Sequence, residues 1–157
     1  MDTTAHAVDG PTDVAVRAMT TDDLTEVLAW DRAVFGADRS AMLLRYRELV
    51  PEFATVAHQS ETLAGYSFGR RGFRWDQFGP IVAKDRRIAQ ALLAAAMTRS
   101  AGKPLLVDTR LTHPVWVNWL RSLGFAEQRP YTRMFKGPNR HPGEPERQFS
   151  ILGPELG

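Results

Sequence analysis

The sequence predicts an α/β (α+β) domain: one mixed, twisted sheet of six or seven strands with helices on both faces. Three observations predict it. Segments of strand and of helical period follow one another as β-α-α-β-β-β-α-β-α-β, with one further strand allowed at the end. The middle strands are separated by short polar turns, the pattern of hairpins, whereas the later ones are separated by helices that can serve as crossovers. The length, 157 residues, fits a single core.

Each element has its own signal. Residues 1–13 read as a disordered N-terminal tail, and 14–157 as one domain. Val14 to Met19 alternates as a strand does. Thr20 or Thr21 can cap the next helix, with Asp22 and Asp23 in its first turn near the positive end of the dipole. Leu24, Val27, Leu28, Asp31, Val34 and Phe35 recur at helical spacing until Gly36. A second helix from Arg39 to Leu49 stops before Pro51. Phe53–His58 and Leu63–Phe68 form a hairpin around Ser60-Glu61, and Gly72 marks the turn into a strand from Gln77 to Ala83. Asp85 to Ser100 is a helix ended by Gly102 and Pro104. Leu105–Asp108 is a short buried strand, and His113–Leu123 a helix with Pro114 in its first turn. Tyr131–Lys136 alternates as a strand, residues 137–147 are loop, and Gln148–Leu152 is the further strand.

Composition narrows the function. Apolar residues make up 43% of the chain and charged residues 24%, as in soluble globular domains. A net charge of +2 gives no electrostatic case for nucleic acid. No cysteine is present, so disulfides, thiolate nucleophiles and cysteine metal sites are excluded, and a cytoplasmic location fits. The four histidines lack ligand spacing, so no metal is expected. The longest apolar run, Ile88 to Met97, falls short of a membrane span, and the acidic start MDTTAHAVDGPTD lacks the apolar core of a signal peptide.

Three stretches carry a resemblance. VRAMTTDDLTEVLAWDRAVFG opens the domain, GPIVAKDRRIAQALL joins a strand to a helix through a basic turn, and WLRSLGFAEQRPYTRMFKG closes with a helix ending Leu-Gly-Phe. Together they resemble the GNAT superfamily of N-acetyltransferases over about residues 14–136. DRAVFGADRSAMLL, GYSFGRRG, FGPIVA and GPELG are similar to a divergent subgroup, in which this module often forms the C-terminal half of a two-domain acetyltransferase. The resemblance implies a sheet splayed at its centre beside Phe78–Ala83, with acetyl-CoA as co-substrate.

In that family the turn after the fourth strand reads Gln/Arg-x-x-Gly-x-Gly/Ala, and its backbone amides face the coenzyme pyrophosphate. Aligned on Ala91-Leu92-Leu93, this chain reads Lys84-x-x-Arg87-x-Ala89, with Arg87 in place of the middle glycine. The resemblance assigns coenzyme contact to Ile81, Val82, Ala83, Lys84, Arg86, Arg87, Ile88 and Ala89. Ile81 or Val82 would supply the amide that polarises the thioester. Lys84, Arg86 and Arg87 would add side-chain cations; the alternative is that the arginines form a solvated first turn.

The resemblance also orders the chemistry. The tyrosine the family often places four residues before the Gly of Leu-Gly-Phe is Leu120 here, which leaves Tyr131 as proton donor or as packing. Asp76, at the start of the fourth strand, is the expected base, or it caps its turn. Asp31 is a carboxylate on an apolar helix face; it anchors an amine or pairs with Arg39 or Arg70. Tyr66 lines the acceptor side. One acceptor pocket would then hold Asp31, Tyr66 and Asp76, with Tyr131 near the thioester.

The function implied is acyl-CoA-dependent transfer of an acetyl group to a primary amine of a small molecule. Two alternatives stand beside it. One is a catalytically silent GNAT-like domain used for binding or sensing. The other is a single-stranded nucleic-acid binder built on GRRGFRWDQF, residues 69–78, which interleaves arginine with aromatics. A homodimer is compatible with the sequence, which does not set the oligomeric state.

Overall fold

The computed structural model describes residues 13–100 and 102–156, so the expected tail lies outside the described residues except for Asp13. Six strands and four helices alternate: β1 (Val14–Ala18), α1 (Leu24–Phe35), α2 (Ser40–Leu49), β2 (Thr55–Gln59), β3 (Thr62–Arg70), β4 (Asp76–Ala83), α3 (Arg86–Arg99), β5 (Leu105–Leu106), α4 (Pro114–Ser122) and β6 (Gln148–Ser150). Strands β1 to β4 form an antiparallel meander. Beyond it β4 meets two different neighbours on one edge. Asp76 and Gln77 pair with β5 in parallel, whereas Ile81 and Val82 pair with β6 antiparallel. The sheet therefore splays at β4, and β6 fills the gap.

Two apolar cores lie on opposite faces. The alanine-rich α3 can approach the sheet closely, and Ile88, Leu92, Leu93 and Ala96 pack with Phe78, Ile81, Ala83, Trp116 and Phe149. On the other face, Val27 and Val34 of α1 and Leu43 of α2 pack with Val56, Tyr66, Phe68, Val82 and Leu152. All eight residues of β4 are buried, as expected of the central strand between these layers.

Three elements depart from the sequence reading, the first being β5, which is two half-buried residues where a buried strand to Asp108 was expected. The expected strand Tyr131–Lys136 is not one: it has no ladder partner among the described residues, and Tyr131, Met134 and Phe135 are exposed. Alternation alone does not make a strand without an edge to pair with, and the edge at the splay is held by β6. The cap of α1 also lies later than Thr20 or Thr21, at Asp23. Its carboxylate receives both terminal nitrogens of Arg17 at 2.7 Å and the Thr20 amide at 2.7 Å, tying the end of β1 to α1.

Those bonds, Arg17's first, hold the Asp23 carboxyl far below the usual carboxylate range, although burial opposes them. A depressed native pKa contributes stability above the unfolded value, ~3.9, and that contribution fades as pH falls below it. Arg17→Ala should therefore show a smaller drop in Tm between pH 7 and pH 3 than the wild type. Parallel Tm curves in that window would show that the pair adds nothing.

Candidate active site

The basic turn lies where β4 hands over to α3. Asp85 is the N-cap, and its Oδ1 accepts the Ile88 amide at 3.1 Å. One amide of the first turn is thus satisfied by the chain's own carboxylate. The amides of Arg86 and Arg87, the first two helical residues, have no partner within a helix and remain for an outside acceptor. Lys84, Arg86 and Arg87 are exposed around them, with Arg87 3.6 Å from Asp85, while Ile88 and Ala89 are buried under the sheet. The turn therefore offers a diphosphate two amides and three cations rather than a close approach over a glycine.

The inner part of the candidate site is β4 itself. The Lys84 amide donates to Ala64 O of β3 at 2.9 Å. Amides alternate along a strand, so the Val82 amide faces β3, and those of Ile81 and Ala83 face the splay. Of the two expected thioester donors, Ile81 is on the splay edge, and Ser150 is its partner there.

Asp31 and Tyr66 meet, but not in a pocket. The Tyr66 hydroxyl donates to Asp31 Oδ1 at 2.7 Å, and Arg39 donates from Nε to Oδ2 and from a terminal nitrogen to Oδ1, both at 2.9 Å. Asp31 is 2% exposed and Tyr66 not at all. Burial, followed by the Asp31 charge, pushes the Tyr66 phenol well above its ordinary range, so it stays a proton donor.

Asp76 lies elsewhere. It shares the α3 face with Phe78, where Ser100 Oγ donates to it at 3.3 Å. Arg71 bonds its Oδ2, and Lys103 Nζ stands 3.6 Å from Oδ1. Tyr66 pairs with Val82, six residues further along β4, or roughly 20 Å at strand rise. Asp31, Tyr66 and Asp76 are therefore on opposite faces and at different ends of the sheet, and do not form one acceptor pocket. Tyr131 is half exposed, with Arg129 donating to its hydroxyl and stacking on its ring. Leu120, at the family's tyrosine position, is a core residue.

Sequence reasoning missed a polar network beside Asp76. Gln77 takes a bond from Arg70 and gives one to Asp108, and Arg70 also pairs with Glu155 at 3.1 Å. Burial raises the Asp108 carboxyl. The one signal was a glutamine inside an otherwise apolar strand. An open groove of about 230 Å³ adjoins this network, lined by Tyr46, Leu49, Val50, Gly69, Arg70 and Arg71. Of the arginines in residues 69–78, Arg70 and Arg71 are engaged, and Arg71 also pairs with Glu52 and covers Phe53, whereas Arg74 and Phe73 are exposed. Among the described residues no helix is long and apolar enough to cross a membrane, and no cluster of three or more acidic or histidine side chains is placed to hold a metal.

Known proteins match this arrangement. The acetyltransferase (GNAT) domain matches residues 27–150. The holothin acyltransferase of Pseudoalteromonas sp. (strain SANK 73390) is 25% identical over 151 residues, which is 96% of this chain and 50% of that protein. The chain thus spans about half the length of this relative. Among solved structures, a GNAT-family acetyltransferase from Bacillus cereus superposes with a TM-score of 0.64 at 17% identity, over 79% of this chain and 90% of its own. Arabidopsis thaliana Naa50, bound to the bisubstrate analogue CoA-Ac-MVNAL, gives 0.61 at 10% identity over 82% and 93%. AAC(6')-Iy, bound to CoA-S-monomethyl-acetylneamine, gives 0.58 at 16% identity over 78% and 97%. With the splayed mixed sheet, the β4–turn–α3 unit and the domain match over most of its length, the chain belongs to the GNAT acetyltransferase family.

Proposed function

We propose that this domain takes an acyl-CoA, acetyl-CoA first among them, and transfers the acyl group to a primary amine of a small molecule. The observation that carries the reading is the turn Lys84–Ala89, where two amides without a partner among the described residues, at the start of a 14-residue helix, stand among three exposed cations. In the reaction the amine nitrogen bonds to the thioester carbonyl carbon and the carbon–sulfur bond breaks. The nitrogen gives up a proton and the departing sulfur takes one. In this reading the Ile81 amide on β4 stabilises the carbonyl oxygen. Asp76, held between Arg71 and Lys103, is the carboxylate nearest the start of that strand and the proposed proton acceptor; Tyr131 is the proposed donor to sulfur. The relative's acyltransferase name and the bisubstrate analogues of the neighbours support the same class of reaction.

Titration calorimetry with acetyl-CoA tests it. Arg86→Ala/Arg87→Ala should weaken binding by about tenfold, the loss expected when charge-assisted contacts to phosphate go. Unchanged affinity would make both arginines bystanders.

A second reading is a silent GNAT-like domain used in binding or sensing. It is favoured by two observations, the seating of β6 on the β4 edge that an acyl-CoA would use and Leu120 at the tyrosine position. Absence of acetyl-CoA binding at millimolar concentration, by the wild type and by Gln148→Ala alike, would select it.

A further inference from the structure

The strand filling the splay is built in by several independent contacts. Ser150 Oγ donates to Phe78 O at 2.9 Å, across 72 residues of sequence. The Ile151 amide donates to Asp108 O at 2.8 Å, and Thr109 Oγ1 to Phe149 O at 2.8 Å. Hence β6 bonds to β4 on one side and to the chain following β5 on the other. Phe149 packs between His113 and Trp116, at centroid distances of 4.8 and 5.5 Å. Upstream, the Gln148 side chain donates to Val34 O at 2.7 Å, and the Glu144 amide donates to the same oxygen at 2.8 Å. Gly79 of β4 lies so close to Ile151 O that a Cβ there would overlap it.

The route to β6 is of a different character. After α4 ends at Ser122 no helix or strand forms until a single 3-10 turn at Pro145–Arg147, and residues 126–142 are exposed throughout. A short buried strand on a long exposed arm can leave its slot without unfolding the meander or α3.

We infer that β6 and the acyl arm of acyl-CoA compete for the same edge of β4, so that the domain as folded is closed and binding requires Gln148–Leu152 to withdraw. The inference rests on the coenzyme reading above. The Ile81 amide, which that reading assigns to the thioester oxygen, faces β6. One edge cannot serve both. The C-terminal segment is thus an intramolecular occupant of the site, and whatever draws it out turns coenzyme binding on.

The chain contains no cysteine, so an engineered pair would be its only thiols. Ile81 and Ser150 are cross-strand partners, within the Cα separation a disulfide spans. In Ile81→Cys/Ser150→Cys, oxidation should reduce acetyl-CoA affinity by about tenfold or more and reductant should restore it, with circular dichroism unchanged. Equal affinity of the oxidised and reduced forms overturns the inference and leaves the coenzyme reading intact. A second variant guards against a misfolded pair. Gln148→Ala removes one bond holding β6, while Val34 O keeps the Glu144 amide. Loss of one such bond should tighten acetyl-CoA binding by about fivefold. Unchanged or weaker binding counts against competition; binding by this variant where the wild type shows none supports it. If wild type, Gln148→Ala and the reduced pair all fail to bind, the coenzyme reading falls and the inference with it.

Discussion

Replacing Arg39 by alanine should remove about 3–5 kcal/mol of stability, because it leaves the Asp31 carboxylate buried without its cation. Both side chains are nearly inaccessible, at 6% and 2% exposure, and the pair is bidentate. The Arg39 guanidinium also lies 3.9 Å from the Phe35 ring centroid, so packing is lost with the charge. Tyr66 would still donate to Asp31, but one neutral hydroxyl does not compensate a buried charge. Against a typical total of 5–15 kcal/mol the loss is severe. Urea titration would read it as a lower midpoint at constant slope. A loss under about 1 kcal/mol would mean that water reaches the pair. The triple variant Asp31→Leu/Arg39→Met/Tyr66→Phe should recover most of the stability, since it deletes both charges and the hydroxyl bound to Asp31 at similar volume. The same result would bear on function. A carboxylate that joins α1 to β3 through Arg39 and Tyr66 is an internal brace, and its loss should reduce activity only in proportion to the folded fraction.

The elements that sequence placed well are those whose signal is local. The period of α1, the alanine run of α3, and the hairpin of β2 and β3 all depend on residues a few positions apart. Asp31 was legible as an ion pair for a related reason: a charge on an apolar stripe needs a partner, and Arg39 stands just past Gly36. What failed was non-local. Tyr131–Lys136 and Gln148–Ser150 both alternate, and nothing near either shows which of them has an edge to join. That was decided by β4, some 70 residues earlier in the chain. The acceptor pocket failed for a similar reason. Asp31 and Asp76 are drawn to separate ends of the sheet by cations, Arg39 in one case and Arg71 with Lys103 in the other, and the register of β3 on β4 keeps those ends apart.

Gly143→Ala should cost about 3–5 kcal/mol, far more than an alanine at a loop glycine ordinarily would. Two effects add. Gly143 has φ +65°, where a side chain costs roughly 1–2 kcal/mol. In addition, a Cβ there would overlap Val34 O and lie 2.9 Å from Phe35 C, and these are backbone atoms at the end of α1 that cannot swing aside. Relieving the overlap pushes the arm off α1 and strains the bonds from the Glu144 amide and the Gln148 side chain to Val34 O, about 1 kcal/mol each. Gly137→Ala is the matched control. Its φ is +77°, but nothing stands within 4 Å of its added Cβ, so it should lose only the conformational part. The difference in urea midpoint between the two variants isolates the contact with α1. Equal losses would show that the arm yields freely and that β6 is not anchored through it. A Gly143→Ala protein that is less stable yet binds acetyl-CoA more tightly would connect the anchor to the splay, because the contact that holds residues 143–144 against α1 is also what keeps β6 on the edge of β4.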